Sequence, residues 1–355
     1  MNSQKWTLFL KLNLGIFVVF ILQGCTYSQK KDKEHLIFKY NEHSNIATLD
    51  PAFARNPQTI WPSNQLFNGL VQLDDQLNIQ PDIAKSWRIN DSTSTYTFTL
   101  RDDVYFHKNK VFKKDSTRRV IAQDFVYSFD RLLSPELASP GSWVLNAVQR
   151  YHAANDSTLV IQLKKPFPAF LGLLSMRYCS VVPKEAIGYY GSDFRSNPVG
   201  TGPFMFKFWE ENIKLILRKN PIYFEKDAQG NSLPYLEAVA ITFLPDKQSE
   251  FLQFAQGNID FMTGLDNSYK DDIITTKGAL QPKYKDRVKL ITTPYLNTEY
   301  LGFFMGSTSK EIASPLIRQA INYGFDREKM VTYLRNSMGI AATHGFIPKG
   351  LAGFD

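Results

Sequence analysis

Cysteine is nearly missing from this 355-residue chain, which holds only Cys25 and Cys179. Two cysteines exclude a disulfide-stapled scaffold, and their spacing excludes a Cys-x-x-Cys zinc or redox centre. Histidine is sparse too: His35, His43, His107, His152 and His344 are scattered without metal-ligand spacing. There is no Gly-x-Ser-x-Gly elbow and no carboxylate pair that sequence can single out, which lowers the weight of an enzyme reading. An active site assembled from distant residues would escape such a search. Glycine-rich phosphate loops are also missing. The segment NPVGTGPFMF, residues 197–206, has Met205 where a dinucleotide fingerprint needs its third glycine, and no Gly-Lys-Ser/Thr comes after it. Pro203 removes a further backbone donor. Phe204, Phe206 and Phe208 alternate, as do Ile213, Leu215 and Leu217 beyond a polar turn, so the segment reads as the start of a β-hairpin.

Long apolar runs are missing as well. The run at 12–21 falls short of the roughly 20 residues that span a bilayer. It comes after Lys5 and Lys11 with no acid and leads into Leu22-Gln23-Gly24-Cys25. That order resembles a bacterial lipoprotein signal: residues 1–24 a signal peptide, cleavage before Cys25, a lipid (palmitate among its chains) on the Cys25 thiol, and a charged tether over 25–35. A transmembrane anchor and a structural cysteine are the competing readings. If Cys25 is lipidated, Cys179 has no partner in the chain and reads as a small buried hydrophobe. Losing Lys5 and Lys11 lowers the formal charge from +7 to +5, a modest and dispersed excess. Its densest part, 108–119, lacks the interleaved stacking aromatics of a nucleic-acid surface. It is expected to be a solvated face, near anionic lipid head groups, and no nucleic-acid partner is expected.

Hydrophobic residues make up 43% of the chain and aromatics 14%, enough for a large core and more than one domain. No solenoid repeat is present. Strands are expected at 36–40, 70–73, 95–100, 156–163 and 239–243, and helices at 61–70, 121–133 and 249–256. A last helix should start at Ser314-Pro315 and turn Ile317, Ala320, Ile321 and Phe325 inward. Strands and helices mix without strict alternation, giving an α/β or mixed α+β class with at least two lobes.

Five ordered motifs say more: DIAKSWRINDSTSTYTFTLRDDVYFH (82–107), AQDFVYSFDRLLSP (122–135), NPVGTGPF with RKNPIYF (197–204 and 218–224), GNIDF (257–261) and IRQAINYGFDREKMV (317–331). In that order they resemble the extracytoplasmic solute-binding proteins of ABC transporters, family 5, the oligopeptide, dipeptide and nickel-binding type. The resemblance implies a multi-lobed, periplasmic-binding-protein type II-like architecture. Lobe I would comprise 36–68 and 176–290, an inserted lobe II 69–175, and an incomplete lobe III 291–355. Peptide members hold the ligand between lobes as an added strand, and lobe closure is what the transporter recognises. One departure lies at Phe106-His107-Lys108-Asn109, where members often have Phe-His-Asp-Gly; Asn109 can take the left-handed conformation almost as glycine does, which would keep the turn.

The resemblance places ligand contacts at Ala54, Arg55 and Asn56 after Asp50-Pro51. It places others at Trp143, near an aromatic wall whose usual position is taken by Gly141, and at Asn297 and Tyr300 in PYLNTEY, a strand entering lobe III. It implies no catalytic residues, metal or cofactor. The expected function is capture of oligopeptides or dipeptides outside the cytoplasmic membrane, with the membrane and ABC permease subunits as partners. A nickel complex or sugar on the same scaffold, or an unrecognised hydrolase, are the alternatives. Members continue well beyond the position of Asp355, so the chain is expected to be C-terminally incomplete, with the 314–330 helical face partly bare.

Overall fold

The computed structural model describes residues 36–351 apart from 91, 114, 115, 307 and 344, so Cys25 and the leader lie outside the described residues. The chain divides into two units, Met1–Met262 and Thr263–Asp355. The strands of the first unit are β1 (Ile37–Asn41), β2 (Val71–Leu73), β3 (Ile79–Pro81), β4 (Ala84–Ile89), β5 (Thr95–Leu100), β6 (Val148–Asn155), β7 (Thr158–Leu163), β8 (Phe204–Glu210), β9 (Lys214–Lys219) and β10 (Ala238–Thr242). They form two four-stranded sheets, β1-β10-β9-β8 and β4-β5-β7-β6, with β2 and β3 as a separate pair. Only the β1–β10 pair is parallel, and it joins distant parts of the chain, setting Ile37 opposite Ala238. The fold is therefore mixed α/β.

Alternation decides which face each strand buries. Tyr96, Phe98 and Leu100 of β5 and Leu159, Ile161 and Leu163 of β7 are all buried on one side of their sheet. A helix, α2 (Ala122–Leu133, following α1 at Pro57–Leu66), packs on that sheet through Phe125, Phe129 and Leu132, with Phe129 edge-on to Tyr151 at 5.4 Å. Each such side chain contributes roughly 1.5–3 kcal/mol by leaving water. The start of α2 is fixed by Asp124, whose Oδ2 accepts the Ile121 N–H at 2.9 Å while both its oxygens accept from Arg118 at 2.7 and 2.8 Å. Arg118 also donates twice to Glu185, on α3 (Lys184–Tyr190). So the densest basic stretch is not simply a solvated face. Its arginine ties two helices together, half-buried.

The hairpin reading of Gly200-Thr201-Gly202 is borne out: β8 and β9 pair antiparallel, with a bulge between Phe206 and Phe208. Both glycines lie against the end of α1. A Cβ on Gly200 would sit 2.0 Å from the Leu66 carbonyl oxygen, and one on Gly202 2.5 Å from that of Gln65. Their role is close approach of backbone to backbone, and the Gly202 N–H donates to Leu66 O at 2.9 Å. Thr201 Oγ1 donates to Asn68 Oδ1 at 3.0 Å, and Asn68 Nδ2 donates to Asp82 at 2.9 Å, so two of the sequence motifs meet in one buried network. The same turn grips His107, which receives the Gly200 N–H on Nδ1 and faces Gly202 O with Nε2 at 3.0 Å. That pattern requires the neutral ring protonated on Nε2, and burial pushes its pKa down to about 4.

Several expectations need correction. The helix expected at 61–70 runs instead over Pro57–Leu66, because Asn56 and Thr59 form a capping box and Pro57 occupies the first turn. Asn109 does not take the left-handed conformation; Ser116 does, at φ 58°, while Asn109 Oδ1 accepts from the Val111 N–H and the Tyr190 hydroxyl. Cys179 is buried as expected, its thiol pushed up to about 12 by desolvation.

The second unit is helical turns and irregular chain among its described residues. Lys270 is buried in a knot with Asp271 and Asn336, the latter donating in turn to Ile274 O. Its longest regular helix, α5 (Pro315–Gly324, following α4 of the first unit at Lys247–Ala255), begins with proline as expected, but Ile317, Ile321 and Phe325 are 40–49% exposed. They form the less exposed side of the helix, against 75% for Leu316 and 86% for Tyr323, so the stripe is partly bare, and Phe325 has already left the helix as its cap.

Candidate functional site

The loop Asp50–Asn56 is fixed from both ends. Asp50 caps a single 3₁₀ turn, Pro51–Phe53, by accepting the Ala52 N–H at 3.0 Å. Its carboxylate is also bidentate with the Arg131 guanidinium, reaching from α2, with one bond at 3.0 Å. Both partners are largely buried, the side chains 6% and 13% exposed. At the other end, Asn56 accepts the Thr59 N–H at 3.1 Å while Thr59 Oγ1 stands 3.4 Å from the Asn56 N–H. Between these anchors Ala54 is buried, and Arg55 and Asn56 are exposed.

The segment with Trp143 meets this loop. Ser139 Oγ donates to Ala52 O and accepts the Gly141 N–H at 3.0 Å. Gly141 is there because Tyr178 is: a Cβ at 141 would lie 2.2 Å from the Tyr178 ring. An aromatic side chain therefore stands beside the position that Gly141 leaves open, supplied from further along the chain. Trp143 comes two residues later, 47% exposed, on a short turn Ser142–Leu145. The structure thus brings Ala54, Arg55, Asn56 and Trp143 onto adjoining segments of the first unit. Tyr178 joins them, and its only sequence signal was the glycine opposite.

Asn297 and Tyr300 belong to the second unit and are both exposed. The segment 288–304 is not a strand: no described segment pairs with it, and a lone strand leaves its ladder groups unmatched. Tyr300 instead packs edge-on against Phe346, centroids 5.1 Å apart, where Thr298 Oγ1 donates to Phe346 O.

Two further features lie in the first unit. A cavity of about 180 Å³ is lined by Ser44, Asn45, Ala47, Asn56, Gln58 and Thr59, all hydroxyl- or amide-bearing apart from Ala47. Beyond the carboxyl ends of β1 and β10, the position where open α/β sheets bind ligands, lies a buried ionic cluster. Glu250 is fully buried, 3.1 Å from His43 Nε2 and 3.6 Å from Lys247 Nζ. Burial, and then repulsion from Glu250, push Glu42 up to about 7, so that carboxyl can hold a proton near neutrality. Among the described residues no group of His, Cys, Asp and Glu is placed to hold a metal ion.

A family model described as "Bacterial extracellular solute-binding proteins, family 5 Middle" matches residues 78–355. The glutathione-binding protein GsiB of Salmonella typhi is 25% identical over 309 residues, covering 87% of this chain and 56% of its own length. The chain thus spans little more than half the length of such relatives. Among solved structures, the Escherichia coli murein tripeptide binding protein MppA is 25% identical with a TM-score of 0.71, over 90% of this chain and 61% of its own. The binding protein MoaA from A. tumefaciens R10, in complex with mannopinic acid, is 25% identical with a TM-score of 0.70 over the same shares. The mixed α/β fold is that of the type II-like periplasmic binding proteins, and the matched residues include the hairpin glycines, α2 and Tyr178: this chain belongs to the bacterial extracellular solute-binding proteins of family 5.

Proposed function

We propose that the chain captures a peptide-like solute outside the cytoplasmic membrane and hands it to the permease subunits of an ABC transporter. The observation that carries this reading is the doubly anchored loop 50–56, which presents exposed residues on a fixed backbone next to an aromatic ring and Trp143. Loops held on rigid scaffolds in this way are where binding residues concentrate. The glutathione and murein tripeptide ligands of GsiB and MppA support a peptide; the mannopinic acid of MoaA supports the second reading, a non-peptide solute on the same scaffold. In this proposal Ala54, Arg55, Asn56 and Trp143 of the first unit contact the solute, and Asn297 and Tyr300 are candidate contacts on the family resemblance alone. Calorimetry of the full chain with glutathione and with tripeptides is expected to show saturable binding, and chromatography afterwards to recover the peptides intact. Cleavage persisting through purification would replace binding with hydrolysis; binding of opine or sugar acids alone would favour the second reading.

The location rests on Cys25, which the proposal makes the lipid-bearing residue. Stable anchoring takes more than one acyl chain. Replacing Cys25 with serine is expected to move the protein from the membrane fraction to the soluble one, and unchanged partition would remove the anchor from the account.

A further inference from the structure

We propose that Arg55 and Tyr178 together recognise a carboxylate of the bound peptide, an inference that rests on the reading of loop 50–56 as the solute's border. Arg55 is exposed and has no ion pair among the described residues, whereas nearby Arg131 is spent on Asp50. Its backbone is held by the 3₁₀ turn on one side and the Asn56 capping box on the other, with the Arg55 N–H bonded to Phe53 O at 2.9 Å. Little backbone freedom is left for a ligand to freeze out, so the side chain alone has to order on binding.

Tyr178 is its neighbour. The 3₁₀ turn before Arg55 packs on the turn Arg177–Cys179, and the positive charge of Arg55 offsets part of the rise that burial imposes on the Tyr178 phenol. The ring is buried against Gly141, while the hydroxyl makes no hydrogen bond to any described residue and is not among the fully enclosed polar atoms. A guanidinium and a phenol O–H, both donors and both without a protein acceptor among the described residues, thus come from two turns packed on each other, each on fixed backbone. A carboxylate satisfies both: its oxygens accept from the guanidinium fork and from the hydroxyl, and the charge is neutralised. A neutral amide in the same place meets the fork with one of its two positions as a donor. Burial keeps the phenol in its protonated, donating form. Peptides offer two carboxylates, the C-terminal one and an acidic side chain.

Calorimetry on the full chain distinguishes them with Ala-Ala-Ala against its C-terminal amide, and Glu-Ala-Ala and Ala-Glu-Ala against their Gln counterparts. In the wild type, one of these exchanges is expected to weaken binding about tenfold, the usual worth of a charge-assisted hydrogen-bonded pair. In Arg55→Met that preference is expected to fall below about twofold, and in Tyr178→Phe to fall partway, since the ring still packs on Gly141. Circular dichroism matching the wild type verifies that both variants are folded. Equal affinities across every exchange, or a preference unchanged by Arg55→Met, overturn the inference and leave peptide binding standing. Failure of the wild type to bind any of the peptides overturns both.

Discussion

Gly200→Ala is expected to cost about 3 kcal/mol of stability, near the upper end of what overpacking does, because nothing near its new methyl can move cheaply. The Cβ would stand 2.0 Å from the Leu66 carbonyl oxygen and 2.6 Å from the Phe67 ring, and Phe67 is itself fully buried. Relief requires moving the end of α1 away from the hairpin, which also loosens the bonds between Gly200 and His107. Urea unfolding followed by tryptophan fluorescence reads the difference directly; a midpoint within error of the wild type would mean that the two segments are not in contact. The same turn gives stability a pH signature. His107 has a folded pKa near 4, below the ordinary histidine value, so the folded state carries fewer protons than the unfolded chain between those limits. Its contribution is complete above about pH 6.5 and is lost as pH falls toward 4. His107→Gln is expected to flatten that part of the acid limb.

The second large effect belongs to Arg131. Changing it to methionine leaves the Asp50 carboxylate buried without its counter-charge, which is expected to cost roughly 3–5 kcal/mol. Part of the penalty should show locally, as the 3₁₀ turn and the Ala54–Asn56 stretch lose one anchor, so peptide affinity should fall together with stability. Adding Asp50→Asn to Arg131→Met removes the stranded charge and keeps an acceptor for the Ala52 N–H. The double variant is therefore expected to recover much of the loss, whereas independent sites would add their costs. Additive destabilisation would show that the ion pair does not hold the loop.

How much of the fold was legible in the sequence depends on the range of each interaction. The strands 95–100 and 158–163 could be read because their alternation is local and each buries every second side chain. The hairpin after Gly202 could be read for the same reason. The start of α1 was misplaced because its signal is chemical: Asn56, Pro57 and Thr59 form the cap, while apolar residues begin only at Ile60 and Trp61. The β1–β10 pairing and the Asp50–Arg131 ion pair join residues with no local signature, so nothing in either segment announces the other. Tyr178 was missed for a related reason. Its position is recorded in the sequence only as a glycine at 141, a side chain left out to make room. Ile317 and Ile321 show the converse: spacing picks out the less exposed side of the helix, but not how far it is covered, which at 40 and 43% exposure is only in part.

The measurement that bears most directly on the account is native mass spectrometry of the full chain purified from its host, followed by release and sequencing of whatever co-purifies. Capture of a peptide-like solute requires a bound mass that fragments as a short peptide, intact and near one per chain, and lost when Arg131→Met loosens the loop. A bound sugar acid or metal chelate in its place, or peptide fragments that accumulate with time, would contradict it.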